Sequence, residues 1–140
     1  MAHQRRERPS VVDEIVKKVG ALGKLEELSA DDLVSFCDRF GHELKEEKVT
    51  NSQIRKVFTE IKHMHLEARS PGSQAVFNPD RVKLLKPKIA YLAAREKKLG
   101  SFKKVMDALI DKVRDARDFG RLAAFMEAVI AYHKYHGGKD

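Results

Sequence analysis

A chain of 140 residues with 28 Lys+Arg against 21 Asp+Glu, 42% hydrophobic and 35% charged, is long enough to bury a core of its own and reads as globular. Its formal net charge of +7 favours a polyanionic partner, nucleic acid or an anionic membrane surface. No apolar run approaches the roughly 20 residues of a membrane span, and the start "MAHQRRERPS" lacks the apolar stretch of a signal peptide. The expected setting is therefore cytoplasmic, with no membrane partner. A lone Cys37 at an apolar-face position reads as a buried thiol, not a nucleophile.

Residues 1–9, with Arg5, Arg6 and Arg8, read as a flexible basic arm, and residues 10–138 as a single helical-bundle domain. Ser10 with Asp13, Ser29 with Asp32, and Thr50 with Gln53 each place a hydroxyl three residues before an acid or amide, the spacing of a reciprocal helix cap. Leu28 with Leu33 and Val49 with Ile54 sit where a hydrophobic staple would close two of these starts. The valines of Val11 to Val19 suit a strand, but the cap at Ser10 and Gly20 just beyond favour a short helix. Ile54, Val57, Phe58, Ile61, Met64 and Ala68 recur at helical spacing, and "RSPGSQAVF", Arg69 to Phe77, reads as a long loop. Asn78 followed by Pro79 opens the next helix, with a kink or two abutting helices expected between Lys83 and Pro87. Phe102, Val105, Met106, Leu109 and Val113 form another stripe; Phe119, Leu122, Met126, Val129 and Ile130 form the last, capped by Asp118. Gly20, Gly41, Gly100 and Gly137 read as punctuation, the last two at helix ends. The fold class is all-α, a compact bundle of about five or six helices.

The charges are sorted. Between Asp80 and Lys98 seven basic residues face two acidic ones. At about 100° per residue Val82, Leu85, Ile89, Leu92 and Ala93 point to the core, and Lys88, Tyr91, Arg95 and Lys98 occupy much of the opposite face. On the helix starting at Thr50, Arg55, Lys62 and Arg69 line one flank of the apolar stripe while Glu60 and Glu67 line the other. Cations at one- and two-turn intervals suit a phosphate backbone, and Tyr91 among them is a candidate stacking platform for a base. A single charged stripe is as readily a solvated face, as at Lys103 to Asp115, where Lys103 with Asp107, and Asp111 with Arg114 and Asp115, interleave signs. Two segregated stripes on consecutive helices are less expected by chance.

Catalytic signals are weak. There is no glycine-rich phosphate loop, no nucleophile elbow and no Ser/His/Asp arrangement. His133 and His136 could converge within one turn, but a metal needs three or four ligands with a supporting shell. His133 lies on the apolar stripe, where a hydrogen-bonded core histidine is expected. Neither a metal nor a cofactor is expected.

Three strings, "TNSQIRKVFTEIK" (50–62), "LLKPKIAYLAARE" (84–96) and "FKKVMDALIDKVRDARDFGRLAAFMEAVIAYHKYHGG" (102–138), together resemble the small subunit of the type III-A CRISPR effector, the Csm complex. The first fifty residues resemble it in length and helical character alone. The resemblance implies a compact helical protein, present in several copies and stacked along the backbone subunits of an RNA-guided assembly. It implies no nuclease activity, cutting of RNA belonging to the backbone subunits and cutting of DNA and cyclic-oligoadenylate synthesis to the large subunit. Its implied partners are guide RNA and target RNA, the backbone and large subunits, and other copies of itself. The matched basic positions are Arg55, Lys56 and Lys62, then Lys86, Lys88 and Arg95, then Lys134. Helical geometry adds Arg69, Tyr91, Lys97 and Lys98. A duplex held through shape and phosphates needs spaced cations and no base-reading groove. Two other functions fit less of the sequence: a purely architectural spacer whose basic faces meet neighbouring proteins, and a small phosphohydrolase built on His133 and His136.

Overall fold

A computed structural model describes residues 10–69 and 77–140, without the side chains of Ala68 and Arg69. The expected basic arm at 1–9, and the expected loop between Arg69 and Phe77, lie outside the described residues. Helix α1 (Val11–Gly20) starts where the Ser10 hydroxyl accepts from the Asp13 N–H at 3.1 Å, and α2 (Ala30–Glu46) where Ser29 accepts from Asp32 at 3.0 Å. At α3 (Asn51–Arg69) the cap closes both ways: Thr50 Oγ1 accepts from the Gln53 N–H at 3.3 Å, and Gln53 Oε1 from the Thr50 N–H at 2.9 Å. The reciprocal half is missing at the two earlier starts because Asp13 and Asp32 turn to Lys104 and Lys18, 3.2 and 3.6 Å away.

Pro87 splits rather than bends its segment. Helix α4 (Pro79–Lys83) stops one residue before α5 (Leu85–Arg95), and Pro87 falls in the first turn of α5, where a missing N–H leaves no bond unmade. A 3-10 turn (Lys97–Leu99) leads into α6 (Gly100–Ile110), so Gly100 opens a helix instead of closing one. The last helix, α7 (Ala116–Tyr135), is capped by Asp115 and not by Asp118, three residues earlier than expected. Asp118 is instead fully buried, accepting from the backbone N–H groups of Glu26 (2.8 Å), Arg114 (2.9 Å) and Asp115 (3.3 Å). That carboxylate ties the 3-10 turn Leu25–Glu27 to the start of α7.

Two helix ends use the same bond pattern with different residues. Gly137, at φ +92°, donates to Lys134 O at 3.0 Å, and Gly138 donates to His133 O at 2.8 Å, which satisfies the last carbonyls of α7. At the end of α2 the left-handed position is Lys48, φ +64°, with Lys48 and Val49 donating to Lys45 and Leu44 at 3.0 Å each. Gly41 does not punctuate; it lies inside α2, where a Cβ would stand 2.7 Å from the His133 backbone nitrogen. The missing side chain lets α2 and α7 approach closely.

That approach organises the core. Helix α7 packs most extensively on α2 and then on α3, while α6 receives α1 and α5. Phe40, Leu44, Ile54, Ile61, Phe102, Met106, Phe119, Phe125 and Met126 are essentially fully buried, each contributing roughly 1.5–3 kcal/mol of apolar burial. Phe58, Met64, Leu92, Ala93 and Ile130, expected in the stripes, are partly exposed at the edge of this core. No strand occurs among the described residues, and no described helix is long and apolar enough to cross a membrane.

Candidate nucleic-acid interface

Along the line between helices α3 and α5, above Val57, Leu85 and Ile89 of the common core, lie three adjoining hollows that share lining residues and together make a shallow trough. Its middle section, about 390 Å³, has an apolar floor of Val57, Leu85, Ile89 and Leu92, with Lys56, Glu60, Lys88 and Tyr91 at its sides. The adjoining section carries Gln53, Lys56, Arg95 and Glu96. Tyr91 is 63% exposed, and the Arg95 guanidinium lies 5.9 Å from the centre of its ring. The trough thus gathers Lys56, Lys88, Tyr91 and Arg95 from two sequence strings.

The remaining cations are arranged less simply than helical spacing suggests. Glu60 and Glu67 face the next helices: Lys88 Nζ sits 2.5 Å from Glu60, and Arg81 sits 2.7 Å from Glu67. The Arg81 guanidinium, helped by His63, holds the Glu67 carboxyl below its ordinary range. Lys86 is paired with Asp111, which therefore does not pair with Arg114; Arg114 donates from Nε to Gly23 O at 3.0 Å. Lys134 pairs with Asp140 at 2.8 Å, and Lys134, with Arg55 more weakly, holds the Asp140 carboxyl low. Arg55, Lys56, Lys62 and Arg95 are exposed and make no ion pair among the described residues. Lys62 Nζ lies 6.0 Å from the Phe58 ring centre. Lys98 is half-buried beside Leu99, and the Arg69 side chain lies outside those described. Pairs so exposed contribute little to stability and exchange readily for another anion.

The two C-terminal histidines are held apart by their partners. His133 is fully buried, Nε2–H donating to Val49 O at 2.7 Å, with Asn51 Nδ2 3.5 Å from its Nδ1. It is the core histidine that the apolar stripe implied. His136 donates to Asp38 at 2.6 Å and meets the His42 ring edge-on. No group of three or more His, Cys, Asp or Glu able to hold a metal occurs among the described residues. Cys37 is buried, donating weakly to Phe125 O at 3.4 Å, and burial pushes its thiol pKa up.

Sequence reasoning missed the trough itself. Leu92, read as a core residue, is half-exposed in its floor, and Gln53, read only as a cap, lines its upper end. It also missed a division of charge. Residues 10–49 hold six basic and ten acidic residues; residues 50–140 hold nineteen and ten.

The family described as "Csm2 Type III-A" matches residues 27–139, which extends the likeness upstream of Thr50 to include all of α2. A curated relative of Streptococcus thermophilus, "CRISPR system Cms protein Csm2", is 30% identical over 95 residues, covering 66% of this chain and 76% of its own length. No solved structure matches the chain.

Proposed function

This chain belongs to the Csm2 family of type III-A CRISPR systems, and is thus a small subunit of the Csm complex; from that premise we propose that it supports the guide and target RNA through a basic surface and cuts neither. Its place is in the assembly, in several copies beside the backbone subunits, with the large subunit as a further neighbour. The observation that supports this best is the set Arg55, Lys56, Lys62 and Arg95, exposed on α3 and α5 without an ion pair among the described residues. Exposed cations on two helices, in a part of the chain that is already strongly positive, attract a phosphate backbone. Four cations held on rigid helices add a sequence-independent grip, while base pairing supplies the sequence.

The test is a complex reconstituted with all four changed to alanine. Target-RNA affinity falls, and the slope of log affinity against log salt flattens by about 0.7 to 0.9 for each phosphate contact removed. Unchanged affinity and slope in an intact complex would sink the RNA role. The architectural reading draws on the pairs Lys86–Asp111 and Lys88–Glu60, which show cations of this face engaging carboxylates. It expects the same variant to drop out of the purified complex.

A further inference from the structure

We propose that the middle of the α3–α5 trough is a subsite for a single unpaired nucleobase of the RNA, stacked on Tyr91. The inference rests on the RNA-supporting role above and sharpens it, since cations alone track a backbone and give no reason for an exposed aromatic beside an apolar floor. Four features meet there. The volume, about 390 Å³, is that of a small-ligand site. The floor is apolar but nearly closed, Val57, Leu85 and Ile89 each being buried and Leu92 half-exposed, so a flat base resting against Leu92 and Tyr91 meets no side chain beneath it that reads its identity. Tyr91 stands at the wall with most of its surface free, and Arg95 lies over its ring, extending the platform with a second planar group. Lys56 lies on the shared border of the middle and upper sections with no ion pair among the described residues, placed to take the phosphate that follows the base.

Glu60 is the one group in this section that would repel a nucleotide, and Lys88 sits on it at 2.5 Å. The pair leaves that wall close to neutral. Lys88 therefore serves the subsite by screening Glu60 rather than by gripping phosphate. A protein helix fits less well, because an amphipathic helix needs a long apolar channel, and here the charged pair Glu60–Lys88 lines the side of both the middle and the adjoining section.

The experiment uses the reconstituted complex and target RNAs carrying 5-iodouracil at single positions, either paired with the guide or left unpaired. The crosslink maps to Tyr91 from unpaired positions, disappears in Tyr91→Ala and persists in Tyr91→Phe. Affinity for a target that leaves one nucleotide unpaired falls about 5- to 100-fold in Tyr91→Ala, in line with the stacking of one base on an aromatic ring, and is restored by Tyr91→Phe. Affinity for a fully paired target is unchanged. Equal losses for both targets, or no loss, while an Arg55→Ala, Lys62→Ala variant still weakens both, would overturn the subsite and leave the supporting role standing. If the Arg55→Ala, Lys62→Ala variant is also silent, both fall. Release of the subunit from the complex by Tyr91→Ala would make the occupant a protein and overturn the inference as well.

Discussion

Residues 10–49 and residues 50–140 fold into one core but carry opposite charge, a net of −4 against +9. The acidic part keeps much of its pairing local, with Arg39 on Glu14 and Lys18 toward Asp32. Where it reaches the basic part it does so from α1, from Lys24 before the Leu25–Glu27 turn and from α2 and its end, as in Lys104–Asp13 (3.2 Å), Lys24–Asp115 (2.5 Å), His136–Asp38 (2.6 Å) and Ser101–Glu47 (2.8 Å). None of these contacts involves α3 or α5. The positive surplus of residues 50–140 is therefore only partly offset by the acidic part. Packing and charge follow separate plans here: apolar side chains from both parts join in one core, while the net charge differs in sign between them.

The comparison is broken most severely at the seam. Gly41→Ala places a Cβ against the backbone of α7, which has no rotamer to yield, and is expected to cost about 3 kcal/mol in urea or thermal unfolding. Asp118→Ala removes the carboxylate that three backbone N–H groups share between the acidic turn and α7, at a cost of about 2 kcal/mol. Asp118→Asn, which retains an acceptor, restores part of that loss in the same measurement.

Charge at the end of α2 sharpens the comparison through pH. Glu47 is partly desolvated, which raises its pKa despite the hydrogen bond that its carboxylate accepts from Ser101 at 2.8 Å, and its other oxygen is buried with no hydrogen-bond partner among the described residues. A folded-state pKa above the unfolded one means that ionised Glu47 destabilises the fold. The penalty is absent below the unfolded pKa and complete above the folded one. Glu47→Gln therefore raises stability at pH 7, by less than about 1 kcal/mol given the group's exposure. The gain vanishes as the pH falls through the carboxylate range, and a constant gain across that range would refute it. The smallest change is Lys48→Gly, which relieves a left-handed backbone at the α2 terminus. Against the extra freedom glycine gains in the unfolded chain, it nets a stabilisation of about 0.5 kcal/mol, read as a small shift in unfolding midpoint.

Particular residues show why some of this was legible in advance. Ser10, Ser29, Thr50 and Asn78 mark helix starts because a cap is a bond between residues two or three apart, written in the local string. Lys48 hides a helix end because any residue can be forced left-handed when the tertiary fold demands it. Asp118 was read as the cap of the last helix because its three donors include Glu26, 92 positions away and invisible to local spacing. Glu60 and Glu67 were read as a separate flank because helical periodicity sorts one helix and is silent about the next.

The all-α class, most helix starts, the apolar stripes, the buried His133 and Cys37, and the family are legible in the amino-acid string, since each depends on neighbours within a turn or on a string matched as a string. Only the tertiary structure decided which cations remain unpaired, that Gly41 is a packing contact, and that a shallow trough lies between α3 and α5 beside Tyr91. Those features depend on distances between helices, set by side-chain volumes meeting across the whole core.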